Sequence, residues 1–167
     1  HFYQTYRQEL QVDHFNKVYF QEIHVGKNSP HLARPKVAFA NTAVELENIR
    51  SALQDNPNLT LERYQTLATI MKKIRRERAD MILFPECFCP STYLSTIARY
   101  SEKNEKLMVT GVEHVIYSKR AFNFIVTILP VTVAGVKDAI VVFRLKNHYA
   151  PSEEELIDGY HLTAPKP

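Results

Sequence analysis

Two residues in this chain stand where an acid–base pair could be assembled. Glu86 comes after the apolar run Met81-Ile82-Leu83-Phe84 and Pro85, and Lys146 comes after Ala139 to Leu145, a run broken only by Arg144. A carboxylate at the end of a buried strand is partly desolvated, which raises its pKa toward the range of a general base. An ammonium at the end of a second strand would pair with it if the ends converge, and could hold a developing oxyanion. The competing readings are a strand that has simply reached water and a lysine whose stem covers apolar surface while its head stays solvated. Beyond the lysine, Glu153, Glu154 and Glu155 follow Ser152. That order also reads as an N-cap and the acidic first turn of a helix.

No nucleophile stands out beside these groups. Cys87 and Cys89 are the only cysteines. On an extended backbone Cys87 points away from Glu86, and a cysteine next to an apolar strand reads as a small buried hydrophobe rather than a reactive thiolate. His148 and His161 are taken as the histidines nearest to the candidate pair. No two histidines stand four apart on a helix, so neither a metal site nor a cofactor is expected.

The elements that must position these residues follow from periodicity. A flank of residues 1–33, rich in Tyr, Phe, His and Gln, is read as a linker or arm from a preceding region, with Phe2, Tyr3, Tyr6, Phe15, Tyr19 and Phe20 available for packing and a break at Asn28, Ser29 and Pro30. A domain over residues 34–167 follows. Short apolar runs predict strands at Lys36–Ala40, Met81–Phe84, Leu107–Val112, Phe122–Leu129 and Ala139–Leu145. Residues 43–53 form a short helix. Thr60 caps the clearest helix, whose stripe is Leu61, Tyr64, Leu67, Ala68, Met71 and Ile74, and Ser91 caps another to about Lys103. Strands and helices first alternate and then give way to consecutive strands, which predicts an α/β fold with a mixed sheet whose last strands pair antiparallel.

Composition bounds the rest. The chain has 167 residues, 45% of them hydrophobic and 11% aromatic, enough for a real core and unlike a disordered or fibrous chain. Lys and Arg number 21 against 18 Asp and Glu, and this net charge of +3 is too small to imply nucleic acid or an anionic membrane. Lys72, Lys73, Arg75, Arg76 and Arg78 lie opposite the apolar stripe of their helix and read as a solvated face. No apolar stretch approaches the roughly 20 residues of a membrane span. Two cysteines one residue apart exclude a disulfide framework and favour a reducing, cytoplasmic setting. The chain opens on His1 rather than Met and is expected to have been cut from something longer.

Taken together, Leu83-Phe84-Pro85-Glu86, Thr110-Gly111-Val112-Glu113-His114, Asn123 with Ile128-Leu129-Pro130, and Arg144-Leu145-Lys146-Asn147-His148-Tyr149-Ala150-Pro151-Ser152-Glu153 fall in one order and spacing. This pattern resembles the amino-terminal half of the nitrilase superfamily, the carbon-nitrogen hydrolases, over about residues 34–162. The resemblance implies an α-β-β-α sandwich, incomplete in this chain, and a Glu-Lys-Cys triad acting on non-peptide C–N bonds of a small amide, carbamoyl compound or nitrile. Carried over, Glu86 matches the general base, Lys146 the oxyanion-stabilising cation and Glu153 the additional glutamate after the lysine. Glu154, one place out of register, is its substitute, and His148 and Asn123 are candidate binding residues.

The departure from the family pattern is the nucleophile, a cysteine on a strand after the lysine, because no cysteine follows Cys89. Two explanations stand. Either the cysteine belongs to a longer polypeptide, or the domain is degenerate and now serves as a non-catalytic accessory or assembly module of a multidomain protein, such as a bacterial defence reverse transcriptase, whose nitrilase-like domains have similar wording around the lysine. The family habit implies a homo-oligomer. Nucleic acid would enter only through a larger parent protein.

Overall fold

The computed structural model describes residues 5–12, 16–23 and 34–165. Within the flank, β1 (Thr5–Val12) and β2 (Asn16–Ile23) pair antiparallel as a two-stranded hairpin, an element that sequence periodicity did not reveal. The break at Asn28, Ser29 and Pro30 and the packing expected of the flank's aromatics lie outside what is described.

The main body is a five-stranded mixed sheet of order β3-β4-β5-β6-β7. Strands β3 (Val37–Phe39), β4 (Met81–Leu83) and β5 (Leu107–Tyr117) run parallel, and β6 (Arg120–Val133) and β7 (Val136–Leu145) add antiparallel. The two parallel steps carry the crossovers that parallel pairing requires. Helices α1 (Leu46–Leu53) and α2 (Leu61–Glu77) join β3 to β4, and α3 (Leu94–Asn104), preceded by a single 3-10 turn at Ser91–Tyr93, joins β4 to β5. Helix α4 (Pro151–Gly159) follows β7. The expected α/β class and mixed sheet are therefore present.

One face of the sheet is covered along its length, and the other only at one end, where Leu53 of α1 and Ile157 of α4 pack with Ala121. The cross-strand row Ala38, Ile82, Met108, Ile128 and Val141 faces the helices. There Ile82, Met108 and Ile128 are completely buried against Leu67, Met71 and Ile74 of α2 and Ile97 of α3. The adjacent row, Phe39, Leu83, Val109, Thr127 and Val142, points the other way, and Phe39 is 73% exposed. Alternation with a period of two sets the two rows on opposite faces, and the row of Ile82, Met108 and Ile128 is the one that α2 and α3 bury.

Several boundaries differ from the periodicity reading. Leu61, Tyr64 and Ala68 are exposed, so the buried stripe of α2 narrows to Leu67, Met71 and Ile74. Strand β6 runs through Pro130, where a proline would break a ladder flanked on both sides. Its pairing with β5 ends at Ile128, so the missing N–H of Pro130 falls where β7 is the remaining neighbour. Helix α4 is capped at Ala150 and has Pro151 in its first turn, so Ser152 is not the N-cap: proline's fixed φ starts the helix early. The cations from Lys72 to Arg78 are exposed, as a solvated face requires.

Candidate active site

Glu86 is placed by a turn, and the turn is tied to β5 by backbone hydrogen bonds on both sides. Phe84 N–H donates to Val109 O (2.8 Å), Gly111 N–H to Pro85 O (3.2 Å), Cys89 N–H to Gly111 O (3.0 Å) and Glu113 N–H to Cys89 O (2.9 Å). Gly111 is what allows this approach: a Cβ there would lie 2.5 Å from Glu86 Cα and 2.6 Å from Cys87 N. A second clamp comes from α2. The Arg63 guanidinium donates to Asn58 O and Phe88 O, both at 2.9 Å, and to the buried carboxylate of Glu113. Burial pushes Glu113 above the usual carboxylate range, and the Arg63 hydrogen bond and charge oppose that shift.

Lys146 leaves the end of β7 and its ammonium bridges two carboxylates, 2.6 Å from Glu86 Oε1 and 2.6 Å from Glu153 Oε2. The convergence of strand ends expected from the sequence is thus present, with Glu153 delivered by the first turn of α4. Burial pulls Lys146 down, but the hydrogen bonds and charges of Glu153 and Glu86 outweigh it and hold the ammonium above its ordinary range. It is the cation in this group at neutral pH. The desolvation expected of Glu86 is absent, because its side chain is 58% exposed while that of Glu153 is 18% exposed.

Glu86, Lys146 and Glu153 open on one cavity of about 480 Å³, within the range of small-molecule sites. Its other wall is apolar, built by Val44, Leu46, Ile49 and Leu156. Cys87 also lines it, which corrects the expectation that this side chain points away from Glu86. Cys87 has φ 52°, so the backbone is turned rather than extended and both neighbours reach the same side. Asn123 Nδ2 donates to Cys87 Sγ at 2.9 Å from behind, so Asn123 acts on the cysteine and is not itself among the lining residues. Glu154 and His148 are exposed and do not line the cavity. Among the described histidines the one that reaches the pair is His114, not His148 or His161. Its buried ring lies with Nε2 3.4 Å from Glu153 Oε1 but outside hydrogen-bond geometry, and Nδ1 has no partner among the described residues.

Sequence reading missed Cys87, His114 and Arg63. Glu113 and His114 lie within the motif Thr110-Gly111-Val112-Glu113-His114, but strand alternation would send one of them to solvent. Both are buried because the ladder of β5 shifts register between Val112 and Val115. Cys89 keeps the structural role expected of it, fully buried with Sγ 3.2 Å from Pro90 O. Among the described residues no group of three or more His, Cys, Asp or Glu side chains is placed to hold a metal ion.

The perturbed groups predict the pH profile of stability. Burial pushes the Cys87 and Cys89 thiols up from 9.0 to about 12. The unfolded chain therefore loses these protons first, the folded state binds more protons above pH 9, and stability falls as pH rises beyond that point. Burial instead holds His114 below 6.5 against the pull of Glu153. The unfolded state then binds more protons just below pH 6.5, and stability falls as pH drops through that value. Thermal melts across pH 5 to 10.5 should show a maximum between these limits, and a melting temperature unchanged from pH 8 to 10.5 would contradict the burial of the thiols.

Comparison of the chain with protein-family models, curated proteins and solved structures finds no match. No described helix is long and apolar enough to cross a membrane.

Proposed function

We propose that this domain is a carbon-nitrogen hydrolase of the nitrilase type, acting on a small amide, carbamoyl compound or nitrile. The observation that carries the reading is the ammonium of Lys146 held 2.6 Å from both Glu86 and Glu153 at the mouth of one cavity. In this reading Glu86 takes and returns protons, Lys146 meets the oxyanion that forms as the carbonyl or nitrile carbon is attacked, and Glu153 fixes the ammonium from the buried side. The apolar wall of Val44, Leu46, Ile49 and Leu156 favours a substrate with an apolar substituent. Support for an incomplete α-β-β-α sandwich comes from Phe39 and Val142, which are exposed on the sheet face opposite α2 and α3 and which a second layer would bury. Two free thiols fit a reducing cytoplasm, and the family habit implies a homo-oligomer.

The resemblance sets the attacking cysteine on a strand after Lys146, and none follows there in this sequence. The test is therefore made on the protein at its natural full length. Ammonia release from a panel of small aliphatic amides and nitriles should fall by about 10²-fold in Lys146→Met, the scale of removing one oxyanion donor. Undiminished release in that variant, or none from any member of the panel in the parent protein, overturns the hydrolase reading.

A second reading, a non-catalytic accessory or assembly domain of a multidomain protein, draws on the same exposed Phe39 and Val142. It requires Glu86→Gln to leave the biological activity of the whole protein intact.

A further inference from the structure

We infer that Tyr149 is a positioning residue for the Lys146 ammonium: its hydroxyl is tied to β6 and its ring face braces the cation. What the ammonium does in the cavity rests on the hydrolase reading; how it is held does not.

The placement starts from a buried backbone group. Asn123 of β6 is completely buried and lies between Phe122 and Phe124, whose partners in β5 are Val115 and Val112, so it stands opposite the register shift of that strand. A buried N–H at such an irregularity must find an acceptor outside the regular ladder. Tyr149 supplies one. Asn123 N–H donates to Tyr149 Oη at 3.2 Å, and that hydroxyl donates in turn to Ala121 O at 3.4 Å. The half-buried ring packs against the cluster of Leu53, Ala121, Ile157 and Leu162. Asn123 also takes the backbone of the lysine, since Lys146 N–H donates to Asn123 O at 2.9 Å. Lys146 and Tyr149 are thus pinned to the same residue of β6.

From that anchor the ring reaches the ammonium. Lys146 Nζ lies over the Tyr149 ring, 5.2 Å from its centre, inside the distance of about 6 Å at which a cation is drawn to an aromatic face. An ammonium has three N–H donors, and two of them go to Glu86 Oε1 and Glu153 Oε2. A ring face favours the positive charge without taking up a donor as a third carboxylate would, so the remaining N–H stays available to an oxygen of the substrate. Tyr149 is not among the residues that line the cavity, so it acts through Lys146. An aliphatic side chain could fill the same packing site but would neither satisfy Asn123 nor hold the cation.

Two measurements on the full-length protein test this, in Tyr149→Phe, which keeps the ring, and in Tyr149→Leu, which removes it. Tyr149→Met, an adaptable filler of similar reach, replaces the leucine variant if that one does not fold. The first measurement is trace acetylation by acetic anhydride at pH 8.5, mapped by peptide mass, with exposed Lys72 and Lys73 as internal references. Only the neutral amine reacts, so loss of the ring should raise the relative rate at Lys146 by about tenfold, the scale of one cation–π contact, whereas Tyr149→Phe should stay close to the parent. A purely structural tyrosine predicts the reverse order or none, because the phenylalanine variant already loses both hydroxyl contacts. Equal rates at Lys146 in the parent and the ring-less variant, or equal gains in Tyr149→Phe and Tyr149→Leu, overturn the inference. The second measurement is ammonia release from the amide panel: kcat should fall by about tenfold in Tyr149→Leu with KM little changed, and Tyr149→Phe should retain it. An unchanged kcat in Tyr149→Leu overturns the positioning role while leaving the hydrolase reading standing. If the parent protein releases no ammonia, the hydrolase reading fails and acetylation decides alone how the cation is held.

Discussion

Glu86→Gln is expected to lower turnover of an amide substrate by about 10²- to 10⁴-fold, the contribution of a positioned general base, while leaving the fold in place. The amide keeps the shape of the carboxylate and can still accept from Lys146 Nζ, 2.6 Å away in the parent protein. It cannot take a proton. Stability should change little, because the Glu86 side chain is 58% exposed and ion pairs of that kind contribute about 0–1 kcal/mol. Lys146 also keeps its more buried partner Glu153. The check is ammonia release alongside a thermal melt. A variant that melts like the parent but has lost its activity assigns the proton transfer to this carboxylate, and an active one removes Glu86 from the chemistry.

Gly111→Ala is expected to damage both stability and activity. The new methyl would meet backbone, Glu86 Cα at 2.5 Å and Cys87 N at 2.6 Å, rather than the movable end of a side chain. Overpacking of this kind costs about 1–3 kcal/mol, and the turn must give, because β5 on the other side is paired with β6 through Ile125. Moving the turn also displaces Glu86 from Lys146, so turnover should drop with the melting temperature. Denaturant unfolding and the amide assay on one preparation distinguish the two losses. A Gly111→Ala protein with the parent's stability would mean that the turn sits farther from β5 than described.

The contrast between these two substitutions marks what the chain announces locally and what it does not. Glu86 and Lys146 were legible because each ends an apolar run, and strand ends in a mixed sheet come together at few places. Alternation within each strand fixes which residues share a face, and pairing aligns Ile82, Met108 and Ile128 into one buried row. The helical crossovers and the antiparallel close of the sheet followed from connection length alone.

Cys87 and His114 were not legible, and each for a stated reason. Cys87 was assigned to the wrong side because extended geometry was assumed through residues that form a turn with φ 52°. His114 was passed over because the register shift in β5 has no mark in hydrophobic periodicity. The desolvation of Glu86 was overestimated too, since the end of a strand says nothing about how much water reaches the side chain beyond it.

By itself, then, the sequence determined the order of strands and helices from residue 34 onward, the mixed character of the sheet and the carboxylate and ammonium that meet at its ends, all of which depend on short-range periodicity and connection length. Only the tertiary structure decided which side Cys87 faces, that Arg63 and Glu113 brace its turn, and that His114 is buried against Glu153. Those outcomes depend on contacts between segments 25 to 50 residues apart, such as Arg63 with Phe88 and with Glu113, whose energies are settled by packing and desolvation in the assembled fold.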